Sequence, residues 1–143
     1  MSLCLVANWK LNGSKEFNHQ WALEFLRNFN GNNFSILGIA PASLYIDHLK
    51  TILTDYNIEI GSQNIDLEET GARTGEISAS MIKDLGCAFS IIGHSERRML
   101  FHETNQMIGQ KLIQADNSSV IPILCIGESA EENQINNTFN VLE

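Results

Sequence analysis

An α/β fold with about five parallel strands is what this sequence predicts, on three observations. Apolar runs recur roughly every 30 residues, the size of one strand–helix unit. They are Leu3 to Ala7, Phe34 to Ala40, Ile58 to Ser62, Ala88 to Gly93 and Val120 to Gly127. The runs are continuous rather than alternating, as expected of parallel strands buried on both faces. Between them, apolar residues repeat at helical spacing. Periodicity alone leaves a barrel and a doubly wound sheet both open. The first run is not followed by GxGxxG, which weighs against a dinucleotide-binding sheet.

The first run ends in Asn8-Trp9-Lys10 and Leu11-Asn12-Gly13, a strand-to-loop junction. Ser14 then caps a helix whose Phe17, Trp21, Phe25 and Phe29 repeat every four residues beside Ala22 and Leu26. Such a stripe packs on a sheet. Residues 28–33 read as a turn. Tyr45, Leu49, Ile52 and Leu53 form the second stripe, and a glycine-bracketed loop from Gly71 to Ser78 follows the third run. Ile108, Leu112 and Ala115 make the third stripe, and Asp116 to Ser119 a further turn. Ser129-Ala130-Glu131-Glu132 is a capping box, with Ile135, Phe139 and Leu142 along one helical face behind it. No C-cap signal follows, so the helix reads as cut.

The chemistry concentrates where the fourth run, Ala88 to Ile92, meets Gly93-His94-Ser95-Glu96-Arg97-Arg98. A histidine leaves the carboxyl end of a strand as a short helix begins. Ser95 is predicted to cap that helix, and Glu96 suits its positive first turn. The same dipole favours a neutral imidazole, which can donate a hydrogen bond to a carbonyl. A lone histidine at a strand end is usually structural, and Arg97 and Arg98 are ordinarily solvated charges. Glu96 serves equally as a helix-start carboxylate or as a partner for Lys10.

Composition sets limits on the rest. The 143 residues suffice for one domain, residues 1–143. A hydrophobic fraction of 43% and a charged fraction of 18% describe an ordinary soluble protein. The net charge of −8 argues against nucleic acid or an anionic membrane as partner. Cys4, Cys87 and Cys125 are scattered, each in or beside an apolar run, and read as reduced core thiols. The four histidines show no ligand spacing with them, so no metal is expected. No signal sequence or apolar span is evident, and the chain is expected to be cytoplasmic.

Taken in order, Asn8-Trp9-Lys10, the Gly71 to Ser78 loop, Gly93-His94-Ser95-Glu96 and Cys125-Ile126-Gly127-Glu128 resemble the triosephosphate isomerase family. The resemblance implies a TIM (β/α)8 barrel, here an incomplete one with about five of eight strands, since a full barrel takes roughly 250 residues. It implies interconversion of dihydroxyacetone phosphate and glyceraldehyde 3-phosphate through an enediolate, in glycolysis and gluconeogenesis, without a cofactor. By motif match, His94, Lys10 and Glu96 are catalytic, and Asn8, Trp9 and Lys10 contact substrate, with Trp9 better suited to packing than to reaction. Arg97 and Arg98 support the loops near the site, and Cys125 fills space. Thr74, Arg73 and Gly75 lie on a loop that in the family enters a second subunit, which implies a homodimer; relatives carry an aromatic residue where Arg73 stands. The family's general-base glutamate and its lid fall beyond residue 143, so these residues alone are expected to be inactive. The alternative is a non-catalytic partial barrel that binds or scaffolds.

Overall fold

The computed structural model describes residues 3–29 and 35–142. Five strands form one sheet in the order of the chain: β1 (Cys4–Asn8), β2 (Ile36–Ala40), β3 (Glu59–Ser62), β4 (Phe89–Ile92) and β5 (Ile121–Leu124). Every neighbouring pair is parallel. A doubly wound sheet reverses its strand order at a switch point. This sheet does not, so the architecture is a half-barrel. The predicted Phe34 start of the second run and most of the 28–33 turn lie outside the described residues.

Helices fill each crossover: α1 (Lys15–Asn28), α2 (Ile46–Ile52) behind a 3-10 turn (Ser43–Tyr45), α3 (Ala79–Asp84), and α4 (Ser95–Phe101) with α5 (Asn105–Asn117). Ser14 caps α1 by accepting the Phe17 N–H at 3.0 Å. The aromatic stripe of that helix is a continuous stack: Trp21 on Phe25 at 4.9 Å and Phe25 on Phe29 at 4.8 Å between ring centroids. Leu49, Leu53, Ile108 and Ala115 are buried as their stripes require. They join Leu37, Ile39, Ile60 and Ile92 in the layer between sheet and helices.

The other face of the sheet holds a smaller cluster of Ala40, Phe89 and Ile91, flanked by Val6, Ile123 and Cys125. Phe89 fills this interior because its neighbours have no side chains. A Cβ on Gly61 would lie 2.3 Å from the ring, and one on Gly38 2.7 Å.

Three expectations need correction. The outer strands are not buried on both faces, because β1 pairs only with β2 and β5 only with β4 among the described residues. For the same reason Cys4 is exposed rather than in the core, and Cys125 is half-buried. Burial does push the Cys87 thiol up to about 11, an inert core position. Finally, the segment after Ser129 is not one helix. The capping box forms, but Asn136 turns left-handed at φ 56 and separates α6 (Ala130–Gln134) from α7 (Thr138–Leu142). Ile135, Phe139 and Leu142 are exposed.

Candidate active site

Parallel strands bring their carboxyl ends to one end of the sheet, and the loops there collect the predicted residues. Asn8 closes β1. Its Oδ1 accepts the Lys10 N–H at 2.9 Å, which helps hold Lys10 left-handed at φ 53. A non-glycine residue in that region carries a strain of about 1–2 kcal/mol. Further bonds fix the turn. Trp9 N–H donates to the Ala40 carbonyl at 3.0 Å, and Asn12 Nδ2 to the Trp9 carbonyl at 2.9 Å. Gln63 Nε2 donates to both the Lys10 and Ala40 carbonyls, at 3.0 and 2.9 Å. Trp9 itself turns to α1, edge-on to Trp21 at 4.8 Å and Phe17 at 5.9 Å.

The strained turn directs Lys10 across the sheet. Its Nζ donates to Glu96 Oε1 at 2.7 Å, across 86 positions of sequence. This bond is the main reason the Glu96 carboxyl sits below its usual range, with the lysine's charge acting the same way. Glu96 thus holds both of its predicted roles, in the first turn of α4 and paired with Lys10.

His94 follows β4 through Gly93, whose φ of 71 makes the turn. A side chain there would also strike Ile108 at 2.9 Å. The cap of α4 is His94, not Ser95: its Nδ1 accepts the Glu96 N–H at 3.2 Å, and Ser95 is already helical. An Nδ1 that accepts a hydrogen bond carries no proton, so the ring's N–H is on Nε2. The other Glu96 oxygen lies 3.5 Å from Nδ1. Lys10, Glu96 and His94 are therefore one connected group.

The arginine pair is structural, as the resemblance implied. Arg98 Nε donates to the Gly93 carbonyl at 2.8 Å, Nη1 to Asn105 Oδ1 at 2.6 Å and Nη2 to the Cys125 carbonyl at 3.3 Å. It ties the ends of β4 and β5 to the start of α5. Arg97 Nε meets Glu103 Oε1 at 2.5 Å, and Lys111 Nζ meets the same oxygen at 2.5 Å while also donating to Asn64 Oδ1 at 2.7 Å. Burial raises the Glu103 carboxyl, but its two cationic partners outweigh that and leave it below its usual value. Gln63, Asn64, Glu103 and Lys111 were missed by the sequence argument.

A cavity of about 270 Å³ opens beside this group, lined by His94, Ser95, Arg98, Cys125 and Glu128 among others. Cavities of about 390 and 770 Å³ lie against α1 and between α3 and α5. Neither is lined by His94. Among the described residues no three His, Cys, Asp or Glu side chains gather as a metal site. No described helix is long and apolar enough to cross a membrane.

The loop after β3 is internally braced. Asp66 N–H donates to the Ile77 carbonyl at 2.8 Å, and Arg73 pairs with the buried Asp66 at 2.5 Å. Burial raises the Asp66 carboxyl, but the Arg73 and Glu68 hydrogen bonds bring it below its ordinary value. Thr74 and Gly75 stand exposed beyond this brace.

Five sequential parallel strands, with Lys10, Glu96 and His94 joined at their carboxyl ends, are the architecture of part of an α/β barrel. The chain belongs to the triosephosphate isomerase family, which it matches over residues 3–143. It is 46% identical to the triosephosphate isomerase of Baumannia cicadellinicola subsp. Homalodisca coagulata over 136 residues, 94% of this chain and 53% of that protein. It is 44% identical to that of Blochmanniella floridana over 144 residues, 98% of this chain and 55% of that protein. The crystal structure of triosephosphate isomerase from Bartonella henselae superposes with a TM-score of 0.90 at 31% identity, covering 99% of this chain and 59% of that one. The chain thus spans about half the length of the relatives it matches, corresponding to their amino-terminal portion.

Proposed function

We propose that these residues form the electrophilic half of a triose-phosphate isomerase site, interconverting dihydroxyacetone phosphate and glyceraldehyde 3-phosphate. The observation that carries this is the joining of Lys10 and His94 through Glu96, at the strand ends where barrel enzymes work. The family's established chemistry pairs a glutamate base with a neutral histidine that polarises the carbonyl. His94, bare at Nδ1, offers an Nε2–H to the substrate oxygens as enediolate charge develops. Lys10 supplies a fixed positive charge for the anionic substrate and the same intermediate. Asn8 positions Lys10 through its backbone, and Glu96 aims both groups. The proton-abstracting base belongs to the part of the family's barrel that lies outside this stretch, so the 143 residues alone are expected to show no turnover.

The assembly proposed for the working enzyme is a cytoplasmic homodimer acting in glycolysis and gluconeogenesis. Exposed Leu11, Leu44 and Phe101 sit on segments that follow strand carboxyl ends, alongside the braced loop bearing Arg73, Thr74 and Gly75. That end of the molecule is apolar enough to seat a second subunit.

The test is a covalent chimera in which residues 3–143 replace the matching half of the Baumannia cicadellinicola enzyme. It should turn over triose phosphates, and His94→Gln should lower kcat on the order of 10²-fold or more. A folded, dimeric chimera without turnover would favour the alternative, a non-catalytic binding or scaffold role.

A further inference from the structure

Residues 63–78, between β3 and α3, form neither helix nor strand. A connection of that length is uncommon in a compact domain, where it is usually either functional or disordered. Its outer part, 71–76, is exposed throughout. Gly71 and Gly75 turn left-handed at φ 145 and 94, and a Cβ on either would meet nothing within 4 Å. Packing does not hold this tip. Arg73 N–H donates to the Gly71 carbonyl at 3.0 Å and Glu76 N–H to the Arg73 carbonyl at 3.1 Å. These bonds shape turns within the tip without tying it to the rest of the fold.

The tie runs through Asp66, whose side chain is 5% exposed. Arg73 grips it with a fork, Nε on Oδ1 at 2.5 Å and Nη2 on Oδ2 at 2.9 Å. Glu68 N–H donates to Oδ1 at 2.8 Å, and the N–H of Asp66 itself donates to the Ile77 carbonyl at 2.8 Å, drawing the two ends of the loop together. Both oxygens of one buried carboxylate are thus engaged from within the loop. Such a fork fixes geometry as well as charge, and burial of the carboxylate limits its screening by salt. Glu68 and Glu76 add their negative charge around the same guanidinium.

We propose that the Asp66–Arg73 pair is a latch that holds residues 67–76 in one shape before anything docks on that loop. Without it the exposed tip would keep the freedom of an unfolded chain, and any docking would have to order it first. With it the loop meets a partner as a rigid body, free of that cost. All atoms of the latch belong to one chain, so it is independent of the homodimer proposed above.

Trypsin reads the latch, because cleavage after Arg73 requires the guanidinium to leave Asp66 and enter the protease. Limited digestion of the chimera, followed by mass spectrometry, gives the rate at the Arg73–Thr74 bond relative to a free peptide of residues 67–79. Cleavage of a transiently opened segment tracks its open population. The chimera should be cut on the order of 10²-fold more slowly than the peptide, and Asp66→Asn should raise its rate roughly tenfold or more. Arg73→Lys keeps the charge and a cleavage site but loses the fork, and should fall between the two. Cleavage after Lys111, 3% exposed in α5, reports global unfolding and should not rise in step. A chimera cut as fast as the peptide, an Asp66→Asn rate equal to the parent's, or a parallel rise at Lys111 overturns the proposal. Repeating the digestion at falling chimera concentration separates latch from docking. A rate that follows concentration but not Asp66 would show that a second subunit, and not the latch, protects the loop.

Discussion

Lys111→Met isolates the buried ion network that anchors the helix bearing Glu96. The Lys111 and Glu103 side chains are 3% and 2% exposed, and Glu103 Oε1 accepts both Lys111 and Arg97 at 2.5 Å. Its second oxygen, Oε2, is buried without a hydrogen-bond partner among the described atoms. Removing the ammonium therefore leaves one cation to hold a carboxylate that water cannot reach. Breaking a buried pair costs about 3–5 kcal/mol, and the surviving Arg97 sets the value near the lower bound. With a urea m-value of about 2 kcal/mol/M, a loss of about 3 kcal/mol moves the midpoint down by about 1.5 M. Lys111→Met/Glu103→Leu removes the stranded charge and should recover at least half of that shift, because Arg97 is partly exposed and can turn to water. Equilibrium urea unfolding of the three proteins, followed by circular dichroism, decides the matter. A single-variant loss below about 1 kcal/mol, or a double variant less stable than Lys111→Met, would refute the reasoning.

Three further outcomes follow from other parts of the molecule. Gly61→Ala drives a methyl into the Phe89 ring and should cost about 1–3 kcal/mol, largely restored by Phe89→Leu; thermal unfolding of both variants tests the contact. The Asp66 carboxyl is held below its usual value, so its stabilising contribution is full above the unfolded value of about 4 and lost as pH falls through the lower folded value. Asp66→Asn should accordingly flatten that acid limb of stability, and an unchanged limb would show that the Arg73 brace is energetically idle. In the chimera, the proposed function requires Lys10→Met to raise KM and lower kcat together, since one charge would serve both substrate and intermediate; steady-state kinetics would expose a change confined to KM.

Much of this was written in the sequence because parallel burial makes continuous apolar runs. The strands from Ile36 to Ala40 and Phe89 to Ile92 could be read directly, and so could the stripe of Trp21, Phe25 and Phe29, which packs partly buried against the core, whereas Phe17 at its start is 51% exposed. Edge strands defeat the same logic. Leu5 and Ile121 look like core in sequence, and only the unpaired position of β1 and β5 leaves them in water. The candidate residues Lys10, His94 and Glu96 could be named from the sequence, but their connections could not. Ser95 is the better cap by residue type, yet Gly93 turns the chain so that the His94 ring takes that place. Lys111 and Glu103 are of residue types that are ordinarily solvated; their burial depends on Asn64, Arg97 and α5 converging from separate units. Gln63 had no signal at all, because its role is to bridge the carbonyls of Lys10, in the turn after β1, and Ala40, at the end of β2.

The central claim is that His94 presents an Nε2–H because its Nδ1 is occupied by the Glu96 N–H. Nitrogen-15 NMR of the chimera, labelled at histidine and assigned through His94→Gln, reads the tautomer directly. At neutral pH the account predicts a bare Nδ1 and a protonated Nε2, with the Nε2 resonance shifting when a phosphorylated triose is added. A His94 ring protonated at Nδ1, or one whose Nε2 ignores the substrate while turnover proceeds, would contradict it.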